Sequence, residues 1–293
     1  MARDETPFRR IRAAFFVSPT AIVGIVLLSL ILVVALAAPW ISPQNPFDPV
    51  QVNAQDGRLP PGAMSRGGTT FWLGTDVQGR DVLSAILYGV RTSLAVGVSS
   101  TLIALAIGAA LGLGAAFFGG RADALITCIA DIELSFPAFL IALVMLAVLG
   151  QGMGKTIAAL VAVQWAYFAR GFGRAMRTQM HKEYIEAVRC LALTPSRIVL
   201  HHLLPNCLPA IFVITAVQMA AAITLEATLS FLGLGVPLTE PSLGLLIADG
   251  YPYLQAGKYW ISFFPGVALV LTIVSINLVA NRLREVLDPL PQR

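Results

Sequence analysis

Few residues in this 293-residue chain are of the types that do chemistry, and their spacing argues against a catalytic or metal centre. The three histidines, His181, His201 and His202, fall in one polar stretch, and the three cysteines, Cys128, Cys190 and Cys207, are far apart and odd in number. Neither set has the spacing of a zinc site or a disulfide framework. Residues 150–156, GQGMGKT, carry the glycines and lysine of a phosphate loop. That motif needs Gly five residues before Gly154 and a strand ahead of it, but residue 149 is Leu and the preceding run reads as helix. Four acids lie in or beside apolar runs: Asp123, Asp131, Glu133 and Glu226. A carboxylate in hydrocarbon is costly and marks a function or a partner. Asp131 and Glu226 are therefore candidates for a pathway or a subunit interface, with headgroup-level solvation and a helix-end hydrogen bond as the respective alternatives.

The densest chemistry lies in residues 170–206, RGFGRAMRTQMHKEYIEAVRCLALTPSRIVLHHLLPN, a basic, patterned stretch between apolar segments. Tyr184, Ile185, Val188, Leu191 and Ala192 recur at helical spacing, while Lys182, Glu183, Glu186 and Arg189 take the opposite face. Thr194 is a suitable N-cap with Pro195 at the first helical position, so a second short helix is expected to His202, interrupted at Pro205. Two short helices joined by a turn make a compact knob. Such a knob suits either a docking surface for a soluble partner or a helix lying on lipid headgroups.

The elements that position these residues are apolar. At 57% hydrophobic and 12% charged residues, the chain has too much apolar surface for a water-soluble globule. The net charge of +4 is small and dispersed, with no aromatic-interleaved basic patch for nucleic acid. The pattern predicts an all-α polytopic membrane protein with six transmembrane helices. Residues 1–18 form a cytoplasmic segment, and 19–38 a first span too long for a cleaved signal peptide. Residues 39–91 form an external loop rich in Pro, Gly and Asn, in which helical periodicity begins at Val82. Residues 92–284 form the transmembrane core, with further spans over about 94–118, up to 149, 157–168 (longer if it continues through Gly171 and Ala175), 207–229 and 261–279, and residues 285–293 are a cytoplasmic tail. In this arrangement fourteen of the twenty Lys and Arg residues fall on the side of both termini and the knob, and six on the other. That asymmetry places the termini and the knob in the cytoplasm.

Four blocks resemble one family. LGTDVQGRDVLSAILYG, EYIEAVRCLALTPSRIVLHHLLPN, LSFLGLGVP and PGVALVLTIVSINLVANRLREVLDP are similar to signatures of the inner-membrane permeases of bacterial ATP-binding-cassette importers, in the dipeptide, oligopeptide and nickel group. The order of blocks and the long first loop resemble that group's C-type subunit. The second block looks like the EAA loop, by which such permeases dock their ATPases. The resemblance implies a coupling helix in which Glu186 is the charged contact, supported by Arg189 and Arg197. It also implies that Tyr184, Ile185 and Val188 fill the partner's groove, with Ala187, Ala192 and Pro205 belonging to the same element. Ala192 stands where the family pattern has Gly, and a residue with a Cβ does not easily take positive φ. The resemblance further implies no enzyme activity and no bound cofactor or metal. The expected partners are two ATPase subunits that hydrolyse ATP, a homologous second permease and an extracytoplasmic substrate-binding protein, with a peptide cargo (nickel or glutathione being the alternative) and a place in the bacterial inner membrane.

Overall fold

The computed structural model describes residues 15–46, 48, 50–65, 67–190, 194–237 and 239–287. Ten helices carry the described fold: α1 (Pro19–Ile41), α2 (Val82–Phe118), α3 (Gly120–Leu134), α4 (Ala138–Leu149), α5 (Met153–Met180), α6 (Glu183–Cys190), α7 (Pro195–Ile198), α8 (Leu204–Phe231), α9 (Leu243–Gly250) and α10 (Trp260–Leu287). Between α1 and α2 the chain forms a 3-10 turn at Ala54–Asp56 and a two-stranded antiparallel hairpin, β1 (Ala63–Met64) with β2 (Thr70–Phe71).

Backbone polar groups in a bilayer must be satisfied within their own segment, which is why the apolar runs fold as long helices. Helix α2 starts where the Asp81 side chain accepts a hydrogen bond from the Ser84 N–H, at 2.8 Å. It extends 37 residues to Gly119, whose φ of 62° ends it. Glycines set its distance from two neighbours. A Cβ on Gly108 would lie 2.4 Å from Phe168 Cβ in α5, and one on Gly97 would lie 2.5 Å from Ile223 Cγ1 in α8. Small residues allow this approach in lipid, where no hydrophobic force draws helices together. Helix α9 is buried at Leu243, Gly244, Leu245 and Leu246, and packs against α2, α8 and α10.

The expected count of six spans is not reached by length and composition. Among the described residues four helical stretches qualify: Pro19–Ile41, Val82–Phe118, His201–Phe231 and Trp260–Leu287. A fifth results if α3 and α4 together form one broken span. The expected single helix up to residue 149 is instead bent by 87° between Leu134 and Ala138. Pro137 explains the break, since it lacks an N–H and its ring clashes with the preceding turn. Helix α5 is one continuous run of 28 residues, running through Gly171 and Ala175, but Arg170, Arg174 and Arg177 make its second half polar.

The expected interruption at Pro205 is also absent. Helix α7 passes through a π-helical turn, Val199–Leu203, directly into α8, with Pro205 in the first turn of α8. The wider turn changes the hydrogen-bond register just before the proline, so its missing N–H falls where the ladder is already broken.

Replacing Gly108 by Leu should overpack the α2–α5 contact and lower stability by about 1–3 kcal/mol. Gly114→Leu is the control, because nothing lies within 4 Å of a Cβ there. Thermal unfolding in detergent should show a lower Tm for the first variant and an unchanged one for the second.

Candidate functional site

The knob is held to the bundle by its apolar face. Ile185 is fully buried and packs with Met176, Ile198, Leu203 and Cys207, while Tyr184 and Val188 lie against the same cluster. These three side chains therefore seat α6 on α5 and α8 of their own chain, Ile185 fully buried and Tyr184 and Val188 half-buried. Polar bonds reinforce the seat. The Tyr184 hydroxyl donates to Gln179 Oε1 at 3.1 Å and accepts from Asn206 Nδ2 at 3.4 Å, and Asn206 Nδ2 also donates to the His202 carbonyl at 2.7 Å. Burial, with a smaller contribution from Cys207, pushes the Tyr184 hydroxyl above its ordinary pKa and keeps it a donor.

The face turned away from the bundle is polar. Glu183, Glu186 and Ala187 are exposed on α6, and Arg197, His201 and Pro205 are exposed beyond it. Among the described residues Glu186 pairs with no cation, including the nearby Lys182. Arg189 has its backbone in α6. Ala192 lies outside the described residues, as does the rest of the turn at 191–193.

Asp131 and Asp123 find partners across α3 and α5. Asp131 pairs with Arg170 at 3.0 Å and Asp123 with Arg177 at 2.9 Å. All four side chains are partly exposed, so each pair contributes little stability on its own and mainly sets how α3 lies on α5.

Glu226 is fully buried near the other end of α8. Its carboxylate oxygens accept hydrogen bonds from Ser93 Oγ of α2 at 2.8 Å and from Ser230 Oγ of its own helix at 2.7 Å. Each hydroxyl accepts in turn from a backbone N–H at 3.4 Å, Leu243 for Ser93 and Val236 for Ser230. One carboxylate thus ties α2, α8 and the start of α9 together. A buried polar network of this kind rigidifies when every member is satisfied.

The sequence marked the LGTDVQGRD block as a family signature leading into α2, and did not reveal its main partner. Arg80 is buried between two acids, Asp76 at 2.5 Å and Asp249 of α9 at 3.3 Å. Asp76 Oδ1 also accepts the N–H groups of Gln78 and Arg80, a turn that Gly79 permits with φ of 84°. Trp260 Nε1, at the start of α10, donates to the Thr75 carbonyl at 3.2 Å. The loop is thereby fastened to α9 and α10. Burial raises the Asp249 carboxyl above its usual range, and the Arg80 charge opposes that rise. The signal in the sequence was an Arg four residues after an Asp inside a glycine-bracketed turn; the second acid, 169 residues away, could not be paired with it by spacing.

Apolar helices long enough to cross a bilayer, with a polar knob projecting from one end, define a multi-pass membrane protein. Residues 80–292 match the family described as the inner membrane component of binding-protein-dependent transport systems, and the chain belongs to that family, one of transport components and not of enzymes. Residues 6–61 match the N-terminal membrane domain of oligopeptide transport permease C. The chain is 34% identical to the di/tripeptide transport system permease DppC of Pseudomonas aeruginosa, over 97% of its own length and 92% of that protein. It is 34% identical to the dipeptide permease DppC of Bacillus subtilis, over 92% of its length and 81% of that protein. Its fold is similar to a chain of an inward-facing MetNI methionine ABC transporter, with a TM-score of 0.58 at 22% identity, covering 70% of this chain and 97% of that one.

Arg80→Met would leave the Asp76 and Asp249 carboxylates buried without compensation, a loss of about 3–5 kcal/mol. Unpaired buried acids have raised pKa values, so their destabilisation grows as pH rises and is relieved as they protonate. Thermal unfolding should show the variant far below wild type at neutral pH and closer to it at about pH 5.

Proposed function

We propose that this chain is one half of the membrane passage of an ATP-driven importer of short peptides, and that it is powered through the knob. The observation that carries this reading is family membership over residues 80–292 together with relatives named as di- and tripeptide permeases along almost the whole chain. A homologous second permease completes the passage. An extracytoplasmic binding protein delivers cargo to the side of the 39–91 loop, and two ATPase subunits hydrolyse ATP. The chain itself binds no cofactor. Its place is the bacterial inner membrane with both termini and the knob in the cytoplasm, an orientation supported by the excess of Lys and Arg on that side.

The division of faces on α6 supports the mechanism. An ATPase cleft would contact the exposed face, Glu186 first, with Ala187, Arg189 and Arg197 around it and Ala192 and Pro205 at its margins. The opposite face, Tyr184, Ile185 and Val188, is seated on α5 and α8. Closure of the ATPase dimer would therefore displace the knob and the two helices as one body, rocking them between inward-facing and outward-facing arrangements. Glu226 is fully enclosed by Ser93 and Ser230, which supports a role as an internal tie. Asp131, paired with Arg170, is assigned the same kind of role between α3 and α5.

In liposomes carrying the full complex, Glu186→Lys should leave folding unchanged, because the side chain is exposed, but reduce peptide uptake by about tenfold or more through loss of a charged docking contact. ATP hydrolysis should persist without transport. Wild-type uptake by this variant would overturn the docking assignment.

A further inference from the structure

A cavity of about 1020 Å³ opens between α5, α8 and the end of α10, beside the knob. Four cations line it, Arg170, Arg174, Lys182 and Arg284, and no acid lines it among the described residues. Arg170 is neutralised by Asp131, which leaves three unbalanced positive charges at the knob end. Along α8 the wall turns apolar at Val213, Ile214 and Val217. It then reaches Gln218, which is only 7% exposed and whose Nε2 is closed off from the cavity.

The order of features is cations and then an apolar wall. We infer that this cavity is a release vestibule that holds the terminal carboxylate of a short peptide among Arg174, Lys182 and Arg284, with the peptide's apolar side chains against Val213, Ile214 and Val217. The inference rests on the peptide-importer reading above. An anionic lipid could set its headgroup on the same cations and its acyl chains on the apolar wall, so it is the competing occupant that the test must displace. The cavity also shares Gln179 and Asn206 with the seat of the knob, since both bond Tyr184. Movement of α6 would therefore disturb the vestibule, giving the power stroke a direct route to cargo release.

The test uses the assembled complex in phosphatidylcholine nanodiscs without ATP or binding protein, with dialanine and dialanine amide as probes in calorimetric titrations. Wild type should bind the free acid about tenfold tighter than the amide, the worth of one charge-assisted contact. Arg174→Gln combined with Arg284→Gln should abolish that preference. Arg177→Gln, which removes a cation of the same helix held outside the cavity by Asp123, should retain it. Equal affinity for the two probes in wild type, or an undiminished preference in the double variant, overturns the vestibule. So does phosphatidylglycerol that occupies the site and resists displacement by dialanine. Uptake of dialanine by the wild-type complex with its binding protein separates the two readings: uptake without discrimination in the titration sinks the vestibule alone, whereas no uptake sinks the peptide assignment and the vestibule with it.

Discussion

The structure depends on the burial of Ile185 against Met176, Leu203 and Cys207, because that contact joins a polar surface element to two membrane helices. A short helix of eight residues is not stable alone in water and takes its order from packing. Ile185 is enclosed inside the chain, while Glu183, Glu186 and Ala187 remain exposed. On the proposed reading the knob is then a lever, and force applied to Glu186 and its neighbours passes into α5 and α8.

The rest of the bundle gives that lever something to move against. Helix α2 approaches α5 and α8 through glycines, with too little room for a methyl group at Gly108 or Gly97. Glu226 ties α2 to α8 and α9 at the far end, and Arg80 fastens the long loop to α9. These anchors lie away from the knob. The end that carries the knob holds the Ile185 cluster, the exposed ion pairs between α3 and α5, and the large cavity.

Much of this was legible in the sequence. Helical spacing from Tyr184 to Val188 identified the knob, and Thr194 with Pro195 marked the start of α7, because capping and periodicity are local. The direction in which the knob faces was not legible: an amphipathic helix pattern shows that one face is buried, but not whether its own chain or a partner buries it. Pro205 does not interrupt the helix as expected, and Pro137 breaks one that was expected to run on to residue 149, for the same reason. A proline breaks a helix only where the neighbouring packing does not absorb it, as the π turn does before Pro205. Long-range polar ties, Arg80 with Asp249 and Ser93 with Glu226, were invisible because nothing in spacing links residues more than a hundred positions apart. The count of spans suffered from composition, since the basic half of α5 falls below the apolarity of a lipid-facing helix.

The central claim is that the exposed face of α6 is gripped by a nucleotide-hydrolysing subunit from inside the cell. Ala187 is exposed and contributes to no core cluster, so Ala187→Cys in a background lacking the native thiols makes a neutral probe. Oxidative cross-linking of that cysteine in the assembled complex, against single cysteines placed around the ATPase cleft, tests the claim most directly. The account predicts a disulfide to an ATPase subunit whose yield changes with nucleotide; a cysteine that is labelled by impermeant reagent from the outer side, or that never joins an ATPase, would contradict it.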